Sequence, residues 1–157
     1  MIYTLFIILA VLAFASAGTI NTSLGNATAT DGLTTASSTC GGNCPGGCAS
    51  CVCGTTASTQ SISSWCAKYS GWNQANCQCI MKYESGGNAN AVNQNSGGTY
   101  DVGLWQINDF NWASCSGGKA PCDPSTNLNC AIKVYQWGGN TWKNWSTCSK
   151  CGACSSA

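Results

Sequence analysis

Tyr83-Glu84-Ser85-Gly86-Gly87-Asn88-Ala89-Asn90-Ala91-Val92-Asn93, followed after a short gap by Asp101-Val102-Gly103-Leu104-Trp105-Gln106-Ile107-Asn108, is the stretch on which the reading of this chain turns. Ahead of it, Cys77, Ile80, Met81 and Glu84 stand at i, i+3, i+4 and i+7, which places them on one face of a helix over residues 73–84. Ser85-Gly86-Gly87 stops that helix. Asn95-Ser96-Gly97-Gly98 reads as a turn, and residues 99–108, with their β-branched and aromatic side chains, predict a β-hairpin. The only glutamate of the chain therefore ends an apolar helical stripe, and Asp101 stands on a returning strand 17 residues later.

Burial at the end of such a stripe disfavours the ionised carboxyl and raises its pKa, the property a general acid needs. The structural alternative is an exposed residue at a helix C-terminus, where the helix dipole disfavours a negative charge; the stripe alone does not choose between them. A helix end followed by a hairpin can set Glu84 and Asp101 across one cleft, with Asn93, Asn95, Gln106 and Asn108 as possible amide partners for the aspartate. Unlike surroundings push two carboxyl pKa values apart, so that one group stays protonated while the other is ionised. That division of labour is the one used in glycoside hydrolysis. Asp109 and Asp123 read as solvated turn residues, and Asp31 as part of a linker.

Composition narrows the chemistry further. The 157 residues include fourteen Cys, six Lys and five carboxylates but neither His nor Arg, for a formal net charge of +1. A His base, a His-rich metal site and an Arg phosphate clamp are excluded. So few basic groups leave little to neutralise a nucleic-acid backbone or hold an anionic membrane surface. The carboxylates are too scattered for a calcium site, so neither metal nor cofactor is expected.

Residues 1–14 are almost wholly apolar and Ala15-Ser16-Ala17 has the form of a cleavage site, so residues 1–17 read as a secretory signal peptide. As a membrane anchor the run is short of the roughly 20 residues a bilayer needs. The cysteine density agrees with an oxidising compartment. Residues 18–39, mostly Thr, Ser, Asn, Ala and Gly, read as a flexible linker with sequons at Asn21 and Asn26; a third sequon stands at Asn144.

Residues 40–54 hold five cysteines and almost no other apolar side chains. A zinc knot or a small wall-binding module are the functional readings, and a disulfide knot is the expected one. Five is odd, and so are the nine that remain (Cys66, Cys77, Cys79, Cys115, Cys122, Cys130, Cys148, Cys151, Cys154), so full oxidation requires at least one bridge between knot and domain. The working domain is residues 60–157. It opens with a helix over 61–69, and Ser125 is expected to cap another over Leu128, Ala131, Ile132 and Tyr135 that ends at Gly138-Gly139. Trp65, Trp72 and Trp137 are expected in the core.

The two quoted motifs, at their spacing, resemble the lysozyme superfamily, in particular the chicken-type lysozymes and the lytic transglycosylase domains, over roughly residues 66–148. Lysozymes are themselves the type example of the two-carboxylate chemistry, so chemistry and resemblance form one argument, not two. The resemblance implies an α+β domain, mostly helical, with a small antiparallel β-hairpin and many disulfides. It implies that Glu84 is the general acid and Asp101 the second carboxylate, that Asn93, Gln106 and Asn108 line a sugar cleft, and that Asn95 partners Asp101. Trp112 resembles the aromatic sugar platform of the family, and Trp142-Lys143-Asn144-Trp145 its late Trp-x-x-Trp segment, whose first Trp packs near the acid at the substrate site. Cys79 and Cys148 approximately match a family bridge. Cys77 has no obvious chicken-type counterpart, the knot lies outside the resemblance, and Cys115, Cys122 and Cys130 are three where the chicken-type pattern has four.

The implied function is that of a secreted muramidase, a monomer acting outside the cell or in lysosomal or phagosomal space. It would hydrolyse the β-1,4 bond between N-acetylmuramic acid and N-acetylglucosamine in bacterial peptidoglycan. The alternatives are a lytic transglycosylase, in which Glu84 acts alone and the sugar's own hydroxyl gives an anhydro product, and a carbohydrate-binding wall protein without turnover.

Overall fold

Short polar side chains set the helix starts. Ser61 accepts a hydrogen bond from the Ser64 amide at the head of α1 (Ile62–Cys66), and Asn73 accepts from the Asn76 amide at the head of α2 (Gln74–Glu84). This is a computed structural model, and it describes residues 40–42, 44 and 47–155. The expected signal peptide, the linker and the sequons at Asn21 and Asn26 lie outside those residues. Among the described residues no helix is long and apolar enough to cross a membrane.

Helix α1 is shorter than the expected 61–69. Cys66 is bridged to Cys77 on α2, and the Trp72 indole N–H donates to the Cys66 carbonyl at 3.0 Å. Bridge and indole together fold the chain back before a third turn can form. On α2, Cys77, Ile80 and Met81 are buried as their spacing predicts. The cap of the long helix α4 (Pro124–Trp137) is Asp123 and not Ser125: its Oδ1 accepts from the Thr126 amide at 2.9 Å. Pro124 then fills a first position where a backbone N–H would have no helical partner anyway. Asp123 is thus a structural cap and not merely a solvated turn residue.

Between the helices lies an antiparallel sheet of three strands, β1 (Val92–Gln94), β2 (Tyr100–Val102) and β3 (Ile107–Asn108), one more than the expected hairpin. A short helix α3 (Trp112–Cys115) follows. Register decides what each face does. Val92, Val102 and Ile107 are paired neighbours and all buried, while Asn93, Asp101 and Asn108 are paired neighbours on the opposite, more open face. Strands this short are marginal alone.

The knot supplies their backing. Cys40, Cys44, Cys48 and Cys53 are buried against Val92 and Val102 as a second core, and the Ala49 amide donates to the Gln94 side chain at 2.9 Å. Gly41 makes this contact possible: it has φ +58°, and a Cβ there would lie 1.7 Å from the Asn90 carbonyl oxygen. Asn88 holds the same junction, donating to the Gly41 carbonyl and accepting from the Ser58 amide.

All fourteen cysteines are paired. Inside the knot the bridges are Cys40–Cys51 and Cys44–Cys48, and Cys53–Cys122 is the expected tie to the domain. Cys122 is thereby used up, which leaves Cys115–Cys130 as the single bridge of its region. The pairing of Cys79 differs from the family match: its partner is Cys151, and Cys148 pairs with Cys154. The reason lies in the 3₁₀ helix Ser146–Cys151. It ends at Gly152 in the left-handed region, and the Ala153 amide returns to the Cys148 carbonyl, bringing Cys154 onto Cys148 and leaving Cys151 to face α2.

The main core gathers α2, α4 and the aromatic group Trp72, Trp105, Tyr135, Trp142 and Trp145. Of the three Trp expected there, Trp72 is buried and Trp65 half-buried with the Lys68 ammonium over its ring. Trp137 is 52 % exposed at the C-terminal end of α4, a correction to the expectation.

Candidate active site

Glu84 is the last residue of α2 and Asp101 the middle residue of β2. What relates them is Ser85, whose hydroxyl donates to the Leu104 carbonyl at 2.7 Å, across from the helix end to the loop that follows β2. On the other side of the same loop, Gly103 has φ +79°, and a Cβ there would sit 2.1 Å from Nδ2 of the buried Asn127. Asn127, on α4, donates to the Val102 and Pro121 carbonyls at 2.9 and 2.8 Å and accepts from the Trp105 amide at 3.0 Å. The Glu-Ser and Asp-x-Gly motifs are therefore the two ends of one clamp.

Both carboxyls line the same two adjoining cavities. One, of about 300 Å³, also presents Gln106, Asn108, Asn111, Asn144, Trp145 and Ser146; the other, of about 540 Å³, adds Ser85, Asn88, Asn93 and Asn95. Polar amides thus surround an acid pair in an open cleft, a lining suited to a hydroxyl-rich and amide-rich ligand.

The two acids sit in unlike surroundings. Asp101 accepts from Asn108 Nδ2 at 2.7 Å and from Asn95 Nδ2 at 2.9 Å, one donor on each oxygen. Asn93 supports this from the next position, donating to Asn95 Oδ1 at 3.2 Å. Glu84 is half-buried, and its carboxyl is raised above the ordinary glutamate range chiefly by loss of solvent, with a smaller push from the Asp101 charge. The Thr147 hydroxyl, which donates to Glu84 Oε1, pulls the other way, as does the Lys150 ammonium more weakly.

Gln106 has φ +48°, a left-handed backbone uncommon for a residue with a side chain. It is held there by its own amide, which donates to the Ala91 and Gly103 carbonyls at 3.1 and 3.0 Å. Of the residues expected at the site, Glu84, Asp101, Asn93, Asn95, Gln106 and Asn108 are thus brought together.

The two tryptophans are placed otherwise. Trp142 is fully buried, packed among the tilted rings of Trp72, Tyr135 and Trp145, so no sugar can touch it. The second Trp of the segment, Trp145, reaches the cleft wall instead, its indole N–H donating to the Trp105 carbonyl at 2.8 Å. Trp112 is half-buried between the two cores, and its indole N–H is taken by the Ile107 carbonyl at 3.0 Å. Sequence reasoning missed Thr147, Ser146, Asn144 and Asn111. Their contact with the site is made only by the closing of the C-terminal segment over α2 and by the 3₁₀ turn Asp109–Asn111 after β3.

The sequence profile of a family described as "Lysozyme like domain" matches residues 77–147, the interval that holds both carboxyls and the clamp between them. Among curated proteins, lysozyme C from Crax fasciolata is 33 % identical over 94 residues, which cover 49 % of this chain and 71 % of that protein. With the helix-ending glutamate, the amide-held aspartate on the small sheet and the cleft between them, these matches show that the chain belongs to the lysozyme superfamily.

Proposed function

We propose that the protein is a secreted muramidase, a specific form of the glycosidic-bond-cleaving function that its family carries. Its substrate is the β-1,4 bond between N-acetylmuramic acid and N-acetylglucosamine in bacterial peptidoglycan. One observation carries this reading: a carboxyl raised by burial and a second that accepts one amide donor on each oxygen line the same cleft. In the protonated form Glu84 gives its proton to the leaving sugar oxygen as the glycosidic bond breaks. Asp101 faces the developing oxocarbenium charge, stabilising it or bonding to the anomeric carbon, and Glu84, now ionised, takes a proton from the incoming water. The reading of residues 1–17 as a signal peptide and the seven bridges support work outside the cell or in lysosomal or phagosomal space; the protein is proposed to act as a monomer.

Clearing of a bacterial suspension by wild type and by Glu84→Gln tests the assignment. Loss of the proton donor should lower the rate on the order of 10²- to 10⁴-fold; near wild-type clearing by the variant overturns it. Mass spectrometry of the released fragments separates hydrolysis, with hydrated reducing ends, from transglycosylation, with anhydro ends.

A further inference from the structure

We propose that Thr147 is a positioning residue for Glu84: its hydroxyl fixes Oε1, so that Oε2 is the oxygen that carries the proton into the cleft. The proposal rests on the reading of Glu84 as proton donor. The Thr147 hydroxyl makes the side-chain hydrogen bond to Glu84, spanning 63 positions of sequence, and the Thr147 backbone N–H acts on the same carboxyl more weakly. A neutral carboxyl has one carbonyl oxygen and one hydroxyl oxygen. With a hydroxyl donor aimed at Oε1, the carbonyl character falls there and the acidic hydrogen falls on the other oxygen. When the proton leaves, the same donor still faces an acceptor, so the bond survives both halves of the cycle without reorientation.

The placement is built rather than incidental. Thr147 lies in the 3₁₀ helix Ser146–Cys151, fixed at its start by the Trp145 indole on the Trp105 carbonyl and closed beyond its end by Cys148–Cys154. Cys79–Cys151 then joins it covalently to α2, the helix that ends in Glu84. Donor and acceptor therefore ride on two elements that cannot drift apart. Asp101 has its own pair of holders in Asn95 and Asn108. Thr147 gives the acid the counterpart of what these amides give the aspartate. It also opposes, most strongly of the groups around Glu84, the upward push of burial on that carboxyl.

Glu84 is the only glutamate in the chain, so incorporation of glutamate carrying 13C at Cδ gives one titrating glutamate signal, read in the resting protein without any assay. The wild-type midpoint should lie above the ordinary glutamate value, and Thr147→Val should move it higher, while Thr147→Ser stays with wild type. In turnover, the alkaline limb reports loss of the acidic proton. Thr147→Val should shift that limb upward and lower kcat on the order of 10-fold at its plateau with KM little changed, and Thr147→Ser should restore both. A Thr147→Val protein with an unmoved titration midpoint and an unmoved alkaline limb, whatever its thermal stability, overturns the proposal. Full activity in Glu84→Gln would instead overturn the muramidase reading and leave the titration result standing, so the two failures are distinguishable.

Discussion

At Glu84 the burial that raises the carboxyl, and suits it to the proposed role of acid, also works against the fold near neutrality. Its folded-state pKa is raised above the unfolded value, with loss of solvent as the main cause. The protonated form is therefore the one the folded state favours. Stability from this group is fully present below the ordinary glutamate pKa and is lost as the pH rises through the raised value. Glu84→Gln, which carries no charge at any pH, should thus be more stable than wild type near neutrality, and the difference should close at a pH below about 4. Denaturant unfolding at both pH values, with the disulfides intact, checks this; a variant no more stable than wild type near neutrality would contradict it. At this scale the sequence was informative wherever chemistry and spacing coincide. Glu84, Asp101, Asn95 and Asn108 lie within 25 positions on contiguous elements, so local pattern suggested a shared cleft and the family resemblance supplied their roles in it. Thr147 lies 63 residues from the acid it touches, and no periodicity reports such a contact. Trp142 and Trp145 are chemically alike, and only the path of the chain decides which is buried among aromatic rings and which reaches the cleft.

Among the elements, the loop between β2 and β3 governs the site, because it joins the aspartate strand to both helices. Asn127 is the point of attachment: a fully buried amide whose three hydrogen bonds all go to backbone groups, Val102, Pro121 and Trp105. Asn127→Leu has similar bulk but takes the side-chain partner from the Trp105 N–H and the Pro121 carbonyl, and one donor from the Val102 carbonyl, which also lies in the β2–β3 ladder. At about 1–3 kcal/mol for each orphaned group, partly relieved by local adjustment, the loss should be about 3–5 kcal/mol. Denaturant unfolding measures it, and a loss below about 1 kcal/mol would mean that the loop is held by other contacts. Helix identities were legible from periodicity, but their ends were not. Helix α1 is cut short by a disulfide and an indole bond, and α4 starts at Asp123 because an aspartate followed by proline outcompetes the serine two positions on. The third strand escaped notice because two residues give no alternation to read.

Across the whole molecule the knot is what backs the small sheet that carries Asp101, the proposed second carboxylate. Parity of the cysteines required a tie between knot and domain, and Cys53–Cys122 is that tie, closing 69 positions of sequence, whereas Cys44–Cys48 closes only 4. In the chain-entropy description of disulfides, loops of those sizes correspond to about 4 and about 2 kcal/mol of stabilisation respectively. The difference between them should be larger in function than in stability, because Cys53 lies in the core that backs Val92 and Val102, whose strands hold Asn93 and Asp101 on the opposite face. Replacing Cys53 and Cys122 by Ser should therefore lower the unfolding midpoint and reduce kcat on peptidoglycan, since the Asp101 strand loses its support while Glu84, on α2 and clamped by Cys79–Cys151, keeps its own. Replacing Cys44 and Cys48 should cost stability with a much smaller change in kcat. The paired measurement of unfolding and turnover on the two double variants decides the point: equal losses of kcat would mean that the knot acts only as a general staple, and that the sheet keeps Asp101 in place by its own hydrogen bonds.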